Sequence, residues 1–131
     1  MNKICTSIEQ SKKLIELGID ISTADFMWEY NSDKETYWNK PTVIPIDDYI
    51  FVNDIPAWSL SALLELIPPY LGEFNDGIDF GFGKAMNGKW YSAHYLKATK
   101  DDVKPFKTVT GDTSVDAAFE MICWLKENSK I

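Results

Sequence analysis

Asp79, Ser92 and His94 are the residues of this chain that most resemble a nucleophilic constellation. A carboxylate, a hydroxyl and an imidazole on one face of a hairpin could perform acyl transfer, with His94 taking the proton from Ser92. The spacing argues against it. Residues i and i+2 on one strand stand roughly 6.6 Å apart, too far for a direct hydroxyl–imidazole hydrogen bond. No G-x-S-x-G turn precedes Ser92 to lift its hydroxyl out of the chain. An ordinary polar sheet face is the better reading.

Other chemistries find even less. The chain holds 1 His and 2 Cys, and Cys5 and Cys123 are far apart in sequence, so no zinc site is expected. The acidic pairs Asp47-Asp48 and Asp101-Asp102 lack the ligand spacing and glycine of a calcium loop. With 20 acids present, nothing singles out two as a glycosidase pair. Gly81-x-Gly83 falls inside an expected strand with no helix behind it, so it cannot cradle a phosphate as a glycine-rich loop does. Close packing over the glycines explains them better. No catalytic residue, metal ligand or cofactor is expected, and an enzyme is the lesser reading.

Binding residues are easier to nominate. Trp90, Tyr91 and Tyr95 lie among Lys84, Lys89, Lys97 and Lys100, a mixture that can stack on single-stranded nucleic acid. The net charge of −7 opposes that partner. So does the composition: all 13 basic residues are lysine, leaving no arginine fork for phosphates or guanine edges. Nucleic acid is therefore not expected. The 5 tryptophans read mainly as core, with one or two expected at a protein-binding surface. The candidate binding residues are Trp58, Trp90, Tyr91, His94, Tyr95 and Trp124.

The elements that must position them can be read from pattern. A helix over residues 7–17 is announced by two capping boxes, Thr6-x-x-Glu9 and Ser7-x-x-Gln10, and stopped by Gly18. Its apolar half holds Ile8, Leu14, Ile15 and Leu17. Phe26, Trp28 and Tyr30 alternate with Asp25, Met27 and Glu29, as in a half-buried strand with the aromatic face inward. Residues 31–34 form a turn and residues 36–38 a return strand. Pro41, Pro45 and Pro56 interrupt the next segment, apart from a short buried strand at residues 49–52. A second helix covers residues 59–67, capped by Ser59 and stopped by Pro68-Pro69, and is apolar enough to be buried on more than one side.

Asn87-Gly88 is a type I′ hairpin signal. It places Phe80, Phe82, Lys84 and Met86 on one face with Lys89, Tyr91, Ala93 and Tyr95. Asp79, Gly81, Gly83, Ala85, Trp90, Ser92, His94 and Leu96 take the other. A third strand covers residues 106–110. The last helix, residues 115–127, comes after cap residues Gly111-Asp112-Thr113-Ser114 and carries Val115, Ala118, Phe119, Ile122 and Leu125 at helical spacing, widened by Ala117, Met121 and Trp124. The order favours one α+β domain over residues 1–131, with a mainly antiparallel sheet packed by N-terminal, central and C-terminal helices.

Composition sets the broad class. Hydrophobic residues are 45% and charged residues 25% of 131, enough for a packed core and unlike a disordered chain. No apolar run approaches membrane-spanning length and the N-terminus has no signal-peptide pattern, so a cytoplasmic location with reduced cysteine thiols is expected. Residues 14–83 hold 13 acids against 2 lysines, whereas residues 84–107 hold 6 lysines against 2 acids. Such asymmetry can steer a charged partner or a second copy, and a homodimer with Trp124 or Trp58 near its interface is expected.

Three blocks add a resemblance: residues 5–14, Ile55-Pro56-Ala57-Trp58-Ser59-Leu60-Ser61-Ala62-Leu63-Leu64-Glu65-Leu66-Ile67-Pro68, and residues 116–125. Together they resemble a family of small uncharacterised proteins from gut bacteria and their phages or mobile elements. The resemblance implies a bacterial cytoplasm and brings no activity, cofactor or catalytic residue. Three functions are then open. The first is a non-catalytic protein-interaction module. The second is an acidic nucleic-acid mimic that inhibits a host DNA-binding protein, and the third a small enzyme or ligand binder with its own cleft.

Overall fold

The computed structural model describes residues 3–44, 53–72, 77–84, 91–98 and 103–131. The chain is α+β, and among the described residues every strand pairing is antiparallel. It divides into two compact units, one of Ile4–Ala62 and one of Leu63–Ile131 together with Lys3.

The first unit opens with helix α1, Ile8–Glu16. Ser7 and Gln10 make the reciprocal capping box: Ser7 Oγ accepts from the Gln10 amide at 3.1 Å, and Gln10 Oε1 from the Ser7 amide at 3.0 Å. Gly18, at φ 89°, closes the helix in a Schellman turn. Its own amide reaches Ile15 O, and the Ile19 amide reaches Leu14 O, each at 3.0 Å. The enclosed row differs from the expected one. Ser11 and Leu14 are buried, while Ile15 faces out at 38% exposure. The reason is polar: Ser11 Oγ and Thr6 Oγ1 share a buried hydrogen bond of 2.7 Å, so the inward face follows Ser11.

Strands β1 (Phe26–Trp28), β4 (Thr42–Val43) and β5 (Ile55–Ala57) form a sheet in the order β4-β1-β5, with α1 packed on β5. Pro56 sits inside β5, an outer strand, where a missing N–H is tolerated. The expected aromatic face is corrected here. Met27 is the buried residue of β1, opposite Pro56, and Phe26 and Trp28 are half-buried. Trp28 directs its indole N–H to Thr6 O at 3.0 Å, which holds the ring at the margin. Strands β2 (Tyr30–Asn31) and β3 (Thr36–Tyr37) make the anticipated small hairpin, its tyrosine rings edge to face at 5.4 Å. Residues 49–52 lie outside the described residues.

Helix α2, Leu60–Leu66, contains the boundary between the units. Ser59 caps it: its Oγ accepts from the Ala62 amide at 3.2 Å and donates to Asp25 Oδ2. Burial on several sides, expected from its composition, is not what the helix shows. Leu63 alone is buried within it, with Ile67 buried just beyond its end. Two turns supply one i, i+4 row, and the other leucines flank that row half-covered.

The second unit is built on strands β6 (Ile78–Lys84), β7 (Tyr91–Ala98) and β8 (Val103–Gly111), in that order. Residues 85–90, including Asn87-Gly88, lie outside the described residues. The strands beside them pair Lys84 with Tyr91 and Phe80 with Tyr95, the faces anticipated from the sequence. A bridge between Tyr70 and Asp79 extends the sheet beyond β6. Helix α3, Ser114–Glu127, packs on β7 and β8, with Thr113 Oγ1 accepting from the Asp116 amide at 3.1 Å as its cap. Ala118 and Ile122 are fully enclosed, as are Ala117, Met121 and Leu125. Lys3 pairs with Asp116 at 2.7 Å, placing a cation on an acid in the first turn. Cys5 in the first unit and Cys123 in the second are both buried thiols. Among the described residues, no helix is long and apolar enough to cross a membrane.

Candidate functional site

Phe106 and Lys107 of β8 build a distinctive surface of the second unit together with Trp124 of α3. Tyr95 pairs with Lys107 but Leu96 pairs with Pro105, so Phe106 is the extra residue of a β-bulge. A bulge re-aims the side chain it carries and bends its strand. Phe106 is left 45% exposed. Its ring meets the half-buried Trp124 of α3 edge to face, with centroids 6.3 Å apart and planes at 81°. Lys107 then places its Nζ 5.6 Å from the Trp124 ring centre, within cation–π range. Two aromatic rings and a cation thus share one corner of β8 and α3.

Of the nominated binding residues, Trp124 is the one in this corner. Trp58 is fully enclosed in the first unit. Its indole N–H donates to Thr23 Oγ1 at 2.8 Å and its amide to Thr6 Oγ1 at 3.1 Å. Tyr95 is likewise enclosed, its hydroxyl donating to Pro68 O at 2.8 Å. These two side chains serve as core and offer no surface. Tyr91 pairs through its backbone with Lys84 and Gly111, and Trp90 lies outside the described residues.

His94 stands half-buried on the sheet face away from Tyr95 and pairs with Gly81 in the ladder. Ser92 pairs with Gly83 and Asp79 with Leu96, so the three residues first considered for catalysis do share a face. A Cβ built on Gly81 would lie 2.3 Å from His94 Nε2, so the imidazole occupies the space the glycine leaves. We expect Gly81→Ala to displace the ring at a cost of about 1 kcal/mol, since a side chain can swing aside. His94 is the 1 histidine of the chain, so its imidazole C–H resonances report the change directly. Resonances unchanged in Gly81→Ala would mean that the ring does not rest on Gly81.

Burial pushes the Tyr95 hydroxyl up from 10.0 to about 12, because the phenolate would lose its water. Below pH 10 the phenol is neutral in both folded and unfolded chains, and its contribution to stability is fully present. Between pH 10 and 12 the unfolded tyrosine ionises first, so stability falls as pH rises. Denaturant midpoints measured from pH 9.5 to 11.5 should fall more steeply for the wild type than for Tyr95→Phe. Parallel slopes would contradict a phenol held neutral.

Phe106 and Lys107 are site residues that periodicity did not single out. The usable signal was Pro105, since proline within a strand marks an edge or a bulge. Among the described residues, no group of three or more His, Cys, Asp or Glu is placed to hold a metal ion. No protein-family model, curated protein or solved structure matches the chain.

Proposed function

We propose that this protein is a non-catalytic protein-interaction module of a bacterial or phage mobile element, acting in the cytoplasm through the Phe106–Lys107–Trp124 corner. The observation that carries this reading is a tryptophan met by both a phenylalanine ring and a lysine ammonium, with the phenylalanine 45% exposed at a bulge. Aromatic anchors of this kind dominate interface energies. The resemblance of residues 5–14, 55–68 and 116–125 to the gut-bacterial and mobile-element family supports the setting.

The broad apolar arc of α3 is enclosed within a single chain, which favours a different protein over a second copy as the partner. A photo-crosslinking phenylalanine analogue at position 106 tests this in bacterial cells. A discrete adduct with another protein is expected, absent when the probe replaces the exposed Glu9 of α1. Equal labelling from both positions, or none from either, would remove the proposal. An adduct of twice the chain mass would instead assign the corner to a homodimer.

A further inference from the structure

We propose that the outer edge of β8 at residues 107–110 accepts an extended, acidic segment of the partner as an added strand. This rests on the interaction reading above and states what the corner recognises. Strand β8 is the last strand of its sheet, and among the described residues no strand pairs with its other side. Natural edge strands are protected by prolines, lysines and bulges. Here those devices fall on the first half of the strand, at Lys104, Pro105 and Phe106.

Beyond Lys107 none of these devices recurs. Lys107, Thr108, Val109, Thr110 and Gly111 pair in unbroken register with Tyr95, His94, Ala93, Ser92 and Tyr91. Thr108 and Thr110 are exposed, and three β-branched residues in succession favour the extended backbone that strand addition needs.

Charge selects the occupant. The three strands of this sheet carry Lys84, Lys97, Lys104 and Lys107 against the one carboxylate of Asp79. A carboxylate in the added strand would meet Lys107, and a neighbouring apolar side chain would rest on Phe106 and Trp124. A second copy fits poorly. Strand β8 carries Lys104 and Lys107 and no carboxylate, so a second β8 supplies no acid to meet Lys107.

The test selects random twelve-residue peptides displayed on phage against the immobilised full chain. Enriched sequences should alternate acidic and apolar residues. One such peptide, made synthetically, should bind at least tenfold more weakly to Lys107→Glu, an exchange at a partly exposed position that leaves the core intact. N-methylation of alternate peptide amides should abolish binding in one phase and spare it in the other, because only one set of N–H groups faces the ladder.

Recovery of no binder would overturn the proposal. So would a basic or uncharged consensus, indifference to Lys107→Glu, or equal tolerance of both methylation phases. A crosslinked partner at position 106 whose capture ignores Lys107→Glu would leave the interaction module standing and remove the added strand alone.

Discussion

Trp58→Ala is expected to destabilise the protein by about 3–5 kcal/mol, the range for emptying a fully buried aromatic site. The indole is completely enclosed, and its N–H is satisfied by Thr23 Oγ1 at 2.8 Å. Removing it opens a large cavity and leaves that hydroxyl short of a partner. A loss of this size is a large share of the roughly 5–15 kcal/mol that holds a domain folded. Trp58→Phe keeps most of the volume but forfeits the hydrogen bond, and should cost about 1–2 kcal/mol. Urea unfolding of both variants separates the packing contribution from the polar one. Equal losses would mean that the ring's volume contributes nothing beyond its N–H.

Gly111→Ala is expected to cost about 3 kcal/mol, the upper range for forcing an extra methyl into a packed site. A Cβ at Gly111 would stand 2.4 Å from the amide nitrogen of Ala117 and 2.7 Å from the carbonyl carbon of Asp116. Both are backbone atoms of α3, held by their own hydrogen bonds, so the whole first turn would have to move. Gly81 makes the useful contrast, because there the obstacle is a side chain. Thermal unfolding should fall by roughly 10 °C in Gly111→Ala, taking roughly 3–4 °C per kcal/mol for a chain of this size. A melting temperature within 2–3 °C of wild type, by the same scaling, would show that α3 can lift off the end of β8 cheaply.

The elements with strong local signals were legible in advance. The Ser7–Gln10 box and Gly18 bracket α1, and Thr113 with the apolar spacing from Val115 brackets α3, because caps and periodicity are local properties. The β6–β7 faces were legible for the same reason. The features that escaped were decided by partners remote in sequence. Ile15 turns outward because Ser11 must meet Thr6, and Met27 replaces the aromatic residues as the enclosed residue of β1 because it lies against Pro56. The candidate site was half legible. Trp124 stood out by residue type, but its neighbours depend on which strand ends the sheet and where the ladder slips by one residue. Trp58 and Tyr95 were nominated as binders on residue type alone, which cannot distinguish a lid from a core.

The bulge at Phe106 also bears on time. It leaves about four residues of regular edge, so an added strand gains a short ladder and one aromatic anchor. Contacts of that extent fall at the small end of specific interfaces, and affinity among such complexes is set mainly by how fast they come apart. An encounter at this corner would therefore turn over quickly. The protein would sample its partner repeatedly and respond to changes in that partner's abundance without having to be unfolded or degraded to let go.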